Sequence, residues 1–96
     1  TEDNIYSQTP KEYKLYQNYP NPFNPVTTIK YDIPKDGNIS LKIYDVLSRE
    51  IYSMNEFKRA GTYEFSFDGS NLPSGLYFYR IKSGNYTETK KMMLLK

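Results

Sequence analysis

Gln17-Asn18-Tyr19-Pro20-Asn21-Pro22-Phe23-Asn24-Pro25 interleaves three prolines and three asparagines with two large aromatic residues. Each proline fixes its own φ near about −65° and has no N–H to donate to a sheet. Each also drives the residue before it out of the helical region, which holds Asn21 and Asn24 in extended or turn conformations. Neither a helix nor a central strand passes through such a stretch. It reads as a stiff, extended crossing with tight turns, with Tyr19 and Phe23 apolar enough to pin it to the edge of a core. The residues before it have the character of a linker, and those after it have the character of strands.

After Pro25 the hydrophobic period is two. In Val26–Ile33, Ile29, Tyr31 and Ile33 alternate with Thr28, Lys30 and Asp32, the pattern of a half-buried strand. Pro34-Lys35-Asp36-Gly37-Asn38 is rich in turn formers. Ile39–Val46 comes next with Ile39, Leu41 and Ile43 on one face, so the two segments are expected to form a hairpin. Asp45–Glu50 turns the chain again. Glu50–Phe57 fits either period, and its short length and neighbours favour a strand. Arg59-Ala60-Gly61 is a turn. Thr62–Asp68 then alternates with Tyr63, Phe65 and Phe67 inward, and each buried ring contributes roughly 1.5–3 kcal/mol.

Asp68–Gly75 is a loop on every local criterion. Leu76–Lys82 is apolar on both faces, which marks a central strand. Ser83-Gly84-Asn85 makes a tight turn into a last strand, Tyr86–Leu95. About seven short strands with turns at intervals of roughly eight to twelve residues predict an all-β, immunoglobulin-like antiparallel β-sandwich. Tyr77, at a strand start after Leu72-Pro73-Ser74-Gly75, is the candidate for a tyrosine corner, in which the phenol bonds back to upstream backbone.

Residues 1–14 are polar, show no clear period and contain Pro10. They are expected to link an upstream cargo domain to one domain over residues 15–96, with Ile5 and Tyr13 touching the sandwich and a short first strand around Tyr13–Asn18. Because the chain opens on Thr1, a piece of a longer protein is expected. At 96 residues a single domain buries roughly 60–65% of its unfolded surface, enough for one modest core. No apolar run approaches the ~18–20 residues of a membrane helix. Eleven tyrosines suit amphipathic sheet walls.

The chain has no cysteine and no histidine. Disulfides, thiolate metal sites, the common catalytic triads and the usual zinc ligands are therefore out of reach. No glycine-rich phosphate loop occurs. A carboxylate pair would have to come from Asp32, Asp36, Asp45, Glu50, Glu64, Asp68 or Glu88, all expected on solvent faces and turns, so neither an enzyme nor a cofactor site is expected. Asp68-Gly69-Ser70-Asn71 lacks the ligand series of an EF-hand and reads as a solvated turn. A net charge of +2 is too mild for nucleic-acid binding. Charge is nonetheless uneven, since residues 80–96 carry Arg80, Lys82, Lys90, Lys91 and Lys96 against Glu88 alone.

Several of these stretches together resemble the type A C-terminal sorting domain of proteins exported by the type IX, or Por, secretion system of Bacteroidetes. The resemblance begins at Leu15–Pro25, where Asn18, Pro20, Asn21, Pro22, Phe23, Asn24 and Pro25 carry the signature, and runs on through Thr27-Thr28-Ile29-Lys30-Tyr31. It continues through Leu41-Lys42-Ile43-Tyr44-Asp45, Gly61-Thr62-Tyr63, Asp68-Gly69 and Ser74–Arg80, including Gly75 and Tyr77. It closes on Thr89–Lys96. Two positions depart from the family pattern, Ser48 where glycine is usual and Phe67 where tryptophan is frequent. If the backbone needs φ > 0 there, Ser48 costs on the order of 1 kcal/mol.

The resemblance implies a non-catalytic signal carried as a folded domain. A larger cargo would cross the inner membrane by a signal peptide, pass through the periplasm and be recognised by the outer-membrane translocon with its cargo-shuttle or transpeptidase components. Many members are then cut off by a surface transpeptidase-like protease that joins the cargo to lipopolysaccharide. The cargo ends at the cell surface or outside the cell, and here the cut would fall in or before residues 1–14. Lys90, Lys91, Met92, Met93, Leu94, Leu95 and Lys96 become the candidate recognition segment: an edge strand offering main-chain groups to a partner, with lysines steering the approach. The bland alternative makes the lysines guards against aggregation and Met92–Leu95 plain core. No small-molecule substrate and no nucleic acid is expected. Two other classes stay open, a carbohydrate-binding sandwich recognisable by a planar row of exposed aromatics, and a structural immunoglobulin-like module of the flagellar hook-capping kind.

Overall fold

The computed structural model describes residues 9–96. Residues 1–8, and with them Ile5 and most of the linker expected over residues 1–14, lie outside the described residues. Seven strands succeed one another: β1 (Lys14–Leu15), β2 (Val26–Ile33), β3 (Gly37–Tyr44), β4 (Glu50–Lys58), β5 (Gly61–Asp68), β6 (Gly75–Ser83) and β7 (Tyr86–Leu94). They form two antiparallel sheets, one ordered β1-β2-β5 and the other β4-β3-β6-β7. The all-β, immunoglobulin-like sandwich is thus as expected, and β6 lies inside its sheet, as its two apolar faces require.

The expected β2–β3 hairpin does not form. β2 pairs with β1 and β5, and β3 pairs with β4 and β6, so residues 34–36 carry the chain from one sheet to the other. Pro34 has no N–H with which to continue a ladder. The Asp36 carboxylate instead accepts the Ala60 N–H at 2.8 Å, tying this crossover to the β4–β5 crossover beside it. Alternation fixes which face of a strand is buried, but it reads the same whether the next strand lies beside it or across the core. The expected β3 extension to Val46 also fails: the strand ends at Tyr44, and Val46 and Leu47 stand exposed in the loop.

The inward faces agree with the alternation. Ile29, Tyr31 and Ile33 of β2, Ile39, Leu41 and Ile43 of β3, and Tyr77, Tyr79 and Ile81 of β6 form the core with Met92 and Leu94 of β7. Aromatic contacts close both open sides of the sandwich. On one side Tyr52 of β4 meets Phe65 of β5 with centroids 5.0 Å apart. On the other Tyr13 stacks on Tyr86 at 4.6 Å. The sandwich therefore has two poles. The starts of β2, β4 and β6 and the ends of β3, β5 and β7 share one pole, and the turns 34–36, 59–60 and 84–85 share the other.

Candidate functional site

The crossing 17–25 lies at the first pole, against the end of β7. Its anchors are Phe23 and Asn18, not the expected pair Tyr19 and Phe23. Phe23 is 1% exposed and meets Phe67 edge-on at 6.2 Å, whereas Tyr19 is 81% exposed, its backbone alone bridging to Thr28. Polar groups decide this outcome. Asn18 donates its Nδ2 protons to the Pro20 carbonyl at 3.1 Å and to Thr27 Oγ1 at 2.9 Å. Its backbone N–H donates to Tyr79 Oη at 2.8 Å, and that hydroxyl donates to the Tyr16 carbonyl at 2.7 Å. A stretch whose prolines lack donors thus has its remaining buried polar groups satisfied by side chains. The peptide bonds preceding Pro20, Pro22 and Pro25 are cis.

The same crossing covers the outer edge of β7. Gln17 Nε2 donates to the Lys91 carbonyl at 2.8 Å, and the Met93 N–H donates to Asn21 Oδ1 at 3.0 Å. The Phe23 N–H donates to the Met93 carbonyl at 2.9 Å, and the Leu95 N–H donates to the Phe23 carbonyl at 3.0 Å. Four hydrogen bonds therefore occupy the main-chain groups that an incoming strand would need at Lys91–Leu95. Beyond the strand, the Lys96 N–H donates to Ser74 Oγ at 3.0 Å and its Nζ donates to the Ser70 carbonyl.

The seven candidate recognition residues divide accordingly. Met92 and Leu94 are core, and Met93 is half-buried. Lys90 is half-buried and pairs with Glu88 at 3.5 Å. Lys91, Leu95 and Lys96 point into solvent, Leu95 being 52% exposed. Glu88 itself does not stand on a solvent face as expected. It shares the inward side of β7 with Met92, where the Tyr86 hydroxyl donates to it and holds its carboxyl below the usual range.

Gly69 is the tightest point of the site. A Cβ there would stand 3.0 Å from Leu94 Cδ2 and 3.3 Å from Phe23 Cε2, so glycine is what lets the crossing and the last strand meet. The resemblance includes Asp68-Gly69 and Gln17 among its stretches, but no local pattern shows that Gly69 meets Leu94 or that Gln17 bonds to β7. Gly75 has φ +152°, a conformation that side chains disfavour, at the start of β6. Tyr77 Oη donates to the Pro73 carbonyl at 2.6 Å, which completes the tyrosine corner. Beside it an open, mainly apolar groove of about 470 Å³ runs between Val46, Leu47, Ile51, Leu72, Pro73 and Tyr77. Asp68 Oδ1 accepts from the Ser70 N–H at 2.9 Å and from its hydroxyl, the arrangement of a self-bonded turn. Among the described residues no cluster of carboxylates fit for a metal ion occurs. Among the described residues Tyr19 and Phe57 are the strongly exposed aromatics, and they lie on separate parts of the surface.

A β-sandwich whose last strand is clipped at its edge by a proline-rich crossing defines the class. Residues 17–95 match the model of the secretion system C-terminal sorting domain family, and the chain belongs to that family. It is a sorting signal for type IX secretion, which implies a cargo protein, the secretion machinery and passage through the outer membrane. Such a domain belongs to a family defined by targeting rather than by a reaction. Among solved structures the chain is similar to dimeric latent PorU from Porphyromonas gingivalis, at 22% identity with a TM-score of 0.67. The match covers 86% of this chain and 9% of that one, and it bears on the fold. No curated protein matches the chain.

Proposed function

We propose that the outer-membrane translocon reads the outward-facing groups of Lys90–Lys96, above all Lys91, Leu95 and Lys96, as displayed by the crossing Asn18–Pro25. The carrying observation is the clip itself: the Phe23 hydrogen bonds to Met93 and Leu95 hold the terminal segment in one geometry at one pole of the sandwich. Lys14 pairs with Asp32 near the end of β2, so the chain enters at the other pole. A cargo joined upstream through residues 1–14 leaves the terminal segment of the domain 15–96 unobstructed. In this reading the chain has no catalysis of its own. It crosses the periplasm with its cargo and brings it to the cell surface or the medium. Cargo-shuttle or transpeptidase components meet the same segment, and a processing cut falls in or before residues 1–14. Main-chain pairing at Lys91–Leu95, already occupied, gives way to recognition by side chains.

The test fuses residues 1–96 to the C-terminus of a signal-peptide-bearing fluorescent reporter in a type IX-competent bacterium and in a translocon-deficient strain. Deleting Lys90–Lys96 would also remove Met92 and Leu94 from the core, so the informative variant is Lys91→Ser/Leu95→Ser/Lys96→Ser. Translocon-dependent export of the parent with periplasmic retention of the folded variant is expected. Equal export of both would place recognition elsewhere, and retention of the folded parent would overturn a sorting role for this chain.

A further inference from the structure

The solvent face of the four-stranded sheet carries an uneven charge that folding does not require. Its rows are set by the register: Tyr44 opposite Phe78 opposite Lys91, Lys42 opposite Arg80 opposite Thr89, and Ser40 opposite Lys82 opposite Thr87. Leu76 and Met93 extend the first row toward the crossing. Lys42 and Arg80 are like charges in directly opposed positions, an arrangement that costs stability in a sheet. Lys42 is offset by Glu50 at 3.3 Å, the one carboxylate on this face among the described residues. Arg80 lies over the Tyr44 ring at 5.0 Å, and among the described residues neither Arg80, Lys82 nor Lys91 has a carboxylate within ion-pairing distance. The other sheet differs. Its solvent face mixes Asp32, Glu64 and Asp68 with Lys14 and Lys30, and Lys30 stands opposite Glu64.

We infer that the outer face of the four-stranded sheet is a docking surface for an acidic protein surface of the secretion machinery, centred on Phe78, Arg80, Lys82 and Lys91. This rests on the sorting reading and adds to it a second contact, broader than the terminal segment and chemically defined. Charge complementarity selects the occupant: unpaired cations on a flat face favour a carboxylate-rich partner and speed its encounter. The composition selects a protein over a polyanion. Tyr44, Phe78, Leu76 and Met93 make the end of the face nearest the crossing apolar, and aromatic residues, methionine and arginine are the types enriched in protein interfaces. Two shallow grooves meet there, sharing Phe78 and Thr89. One is lined with Tyr44 and Arg80, the other with Gln17 and Lys91, so the face is continuous with the crossing.

The test uses the reporter fusion to residues 1–96 and the variant Arg80→Glu/Lys82→Glu, which leaves Lys90–Lys96 intact and sets a carboxylate opposite Lys42. The control is Lys11→Glu/Lys35→Glu, the same change in net charge on residues outside this face. Binding of the purified fusions is measured on outer membranes isolated from competent and translocon-deficient strains, alongside export in cells. Expected are a loss of at least about tenfold in affinity and a matching loss of export for the sheet variant, with the control unchanged. Raising salt from about 0.05 to about 0.3 M should weaken parent binding by a similar factor. A sheet variant that binds and exports like the parent overturns the inference while leaving the sorting reading intact. Equal parent binding to translocon-deficient membranes also overturns it, because the occupant would then be the membrane surface. A parent that is neither bound nor exported overturns both. If the sheet variant does not fold, parent binding that is insensitive to salt overturns the inference by itself.

Discussion

Phe23 and Leu94 form a parallel β-bridge that joins the proline-rich crossing to the last strand, and their side chains meet over Gly69. Removing the ring should therefore act at a distance in sequence. Phe23→Ala is expected to cost about 3–5 kcal/mol, the range for emptying a buried aromatic site. Urea unfolding measures the loss. Hydrogen exchange adds the location, with faster exchange expected at the Met93 and Leu95 amides. Protection unchanged at those two amides would mean that the clip does not depend on Phe23.

Gly69→Ala should destabilise by about 1–3 kcal/mol through crowding, since a methyl group there meets Leu94 at 3.0 Å. Leu94→Val withdraws the Cδ2 atom concerned. A double-mutant cycle should show favourable coupling between the two changes, and strict additivity would place the clash elsewhere.

Ser48 has φ +63° in the β3–β4 loop, the left-handed conformation anticipated for a position where glycine is usual in the family. Ser48→Gly is expected to stabilise the fold by about 1 kcal/mol, visible as a higher urea midpoint at unchanged slope. The Asp45 carboxylate, which accepts the Leu47 and Arg49 N–H groups, keeps the loop in shape in both proteins.

Stability should fall in alkali. Burial pushes the Tyr31 and Tyr79 phenols from their ordinary value of 10.0 up to about 12, with the charge of Glu56 adding to the effect at Tyr31. Between those limits the unfolded chain releases protons that the native state keeps. The contribution is therefore complete below pH 10.0 and is lost as pH rises toward 12, at about 1.4 kcal/mol per pH unit for each tyrosine. Urea midpoints from neutral to alkaline pH measure the slope, and Tyr31→Phe should make it shallower. A slope unchanged by that substitution would assign the alkaline loss to other groups.

Tyr77→Phe removes the bond to the Pro73 carbonyl at 2.6 Å and leaves the buried ring in place. A loss of about 1 kcal/mol is expected, with faster exchange confined to the loop between Asp68 and Gly75.

The chain's local chemistry determined a great deal by itself. Period-two alternation in Val26–Ile33 and Thr62–Asp68 set strand type and inward face, because successive side chains of a strand point to opposite sides whatever the neighbour. Turn formers set the breaks, and the two apolar faces of Leu76–Lys82 marked the strand with neighbours on both sides. The order of motifs from Leu15 to Lys96 carried the family. Only the tertiary structure decided pairing, since Ile33 and Ile39 read alike whether their strands lie in one sheet or two. It also decided that Asn18 rather than Tyr19 anchors the crossing, because a buried amide is stable only where Thr27 and the Pro20 carbonyl meet it. The cover over Lys91–Leu95 is of the same kind: its hydrogen bonds join residues seventy or more positions apart, and no local pattern encodes such a bond.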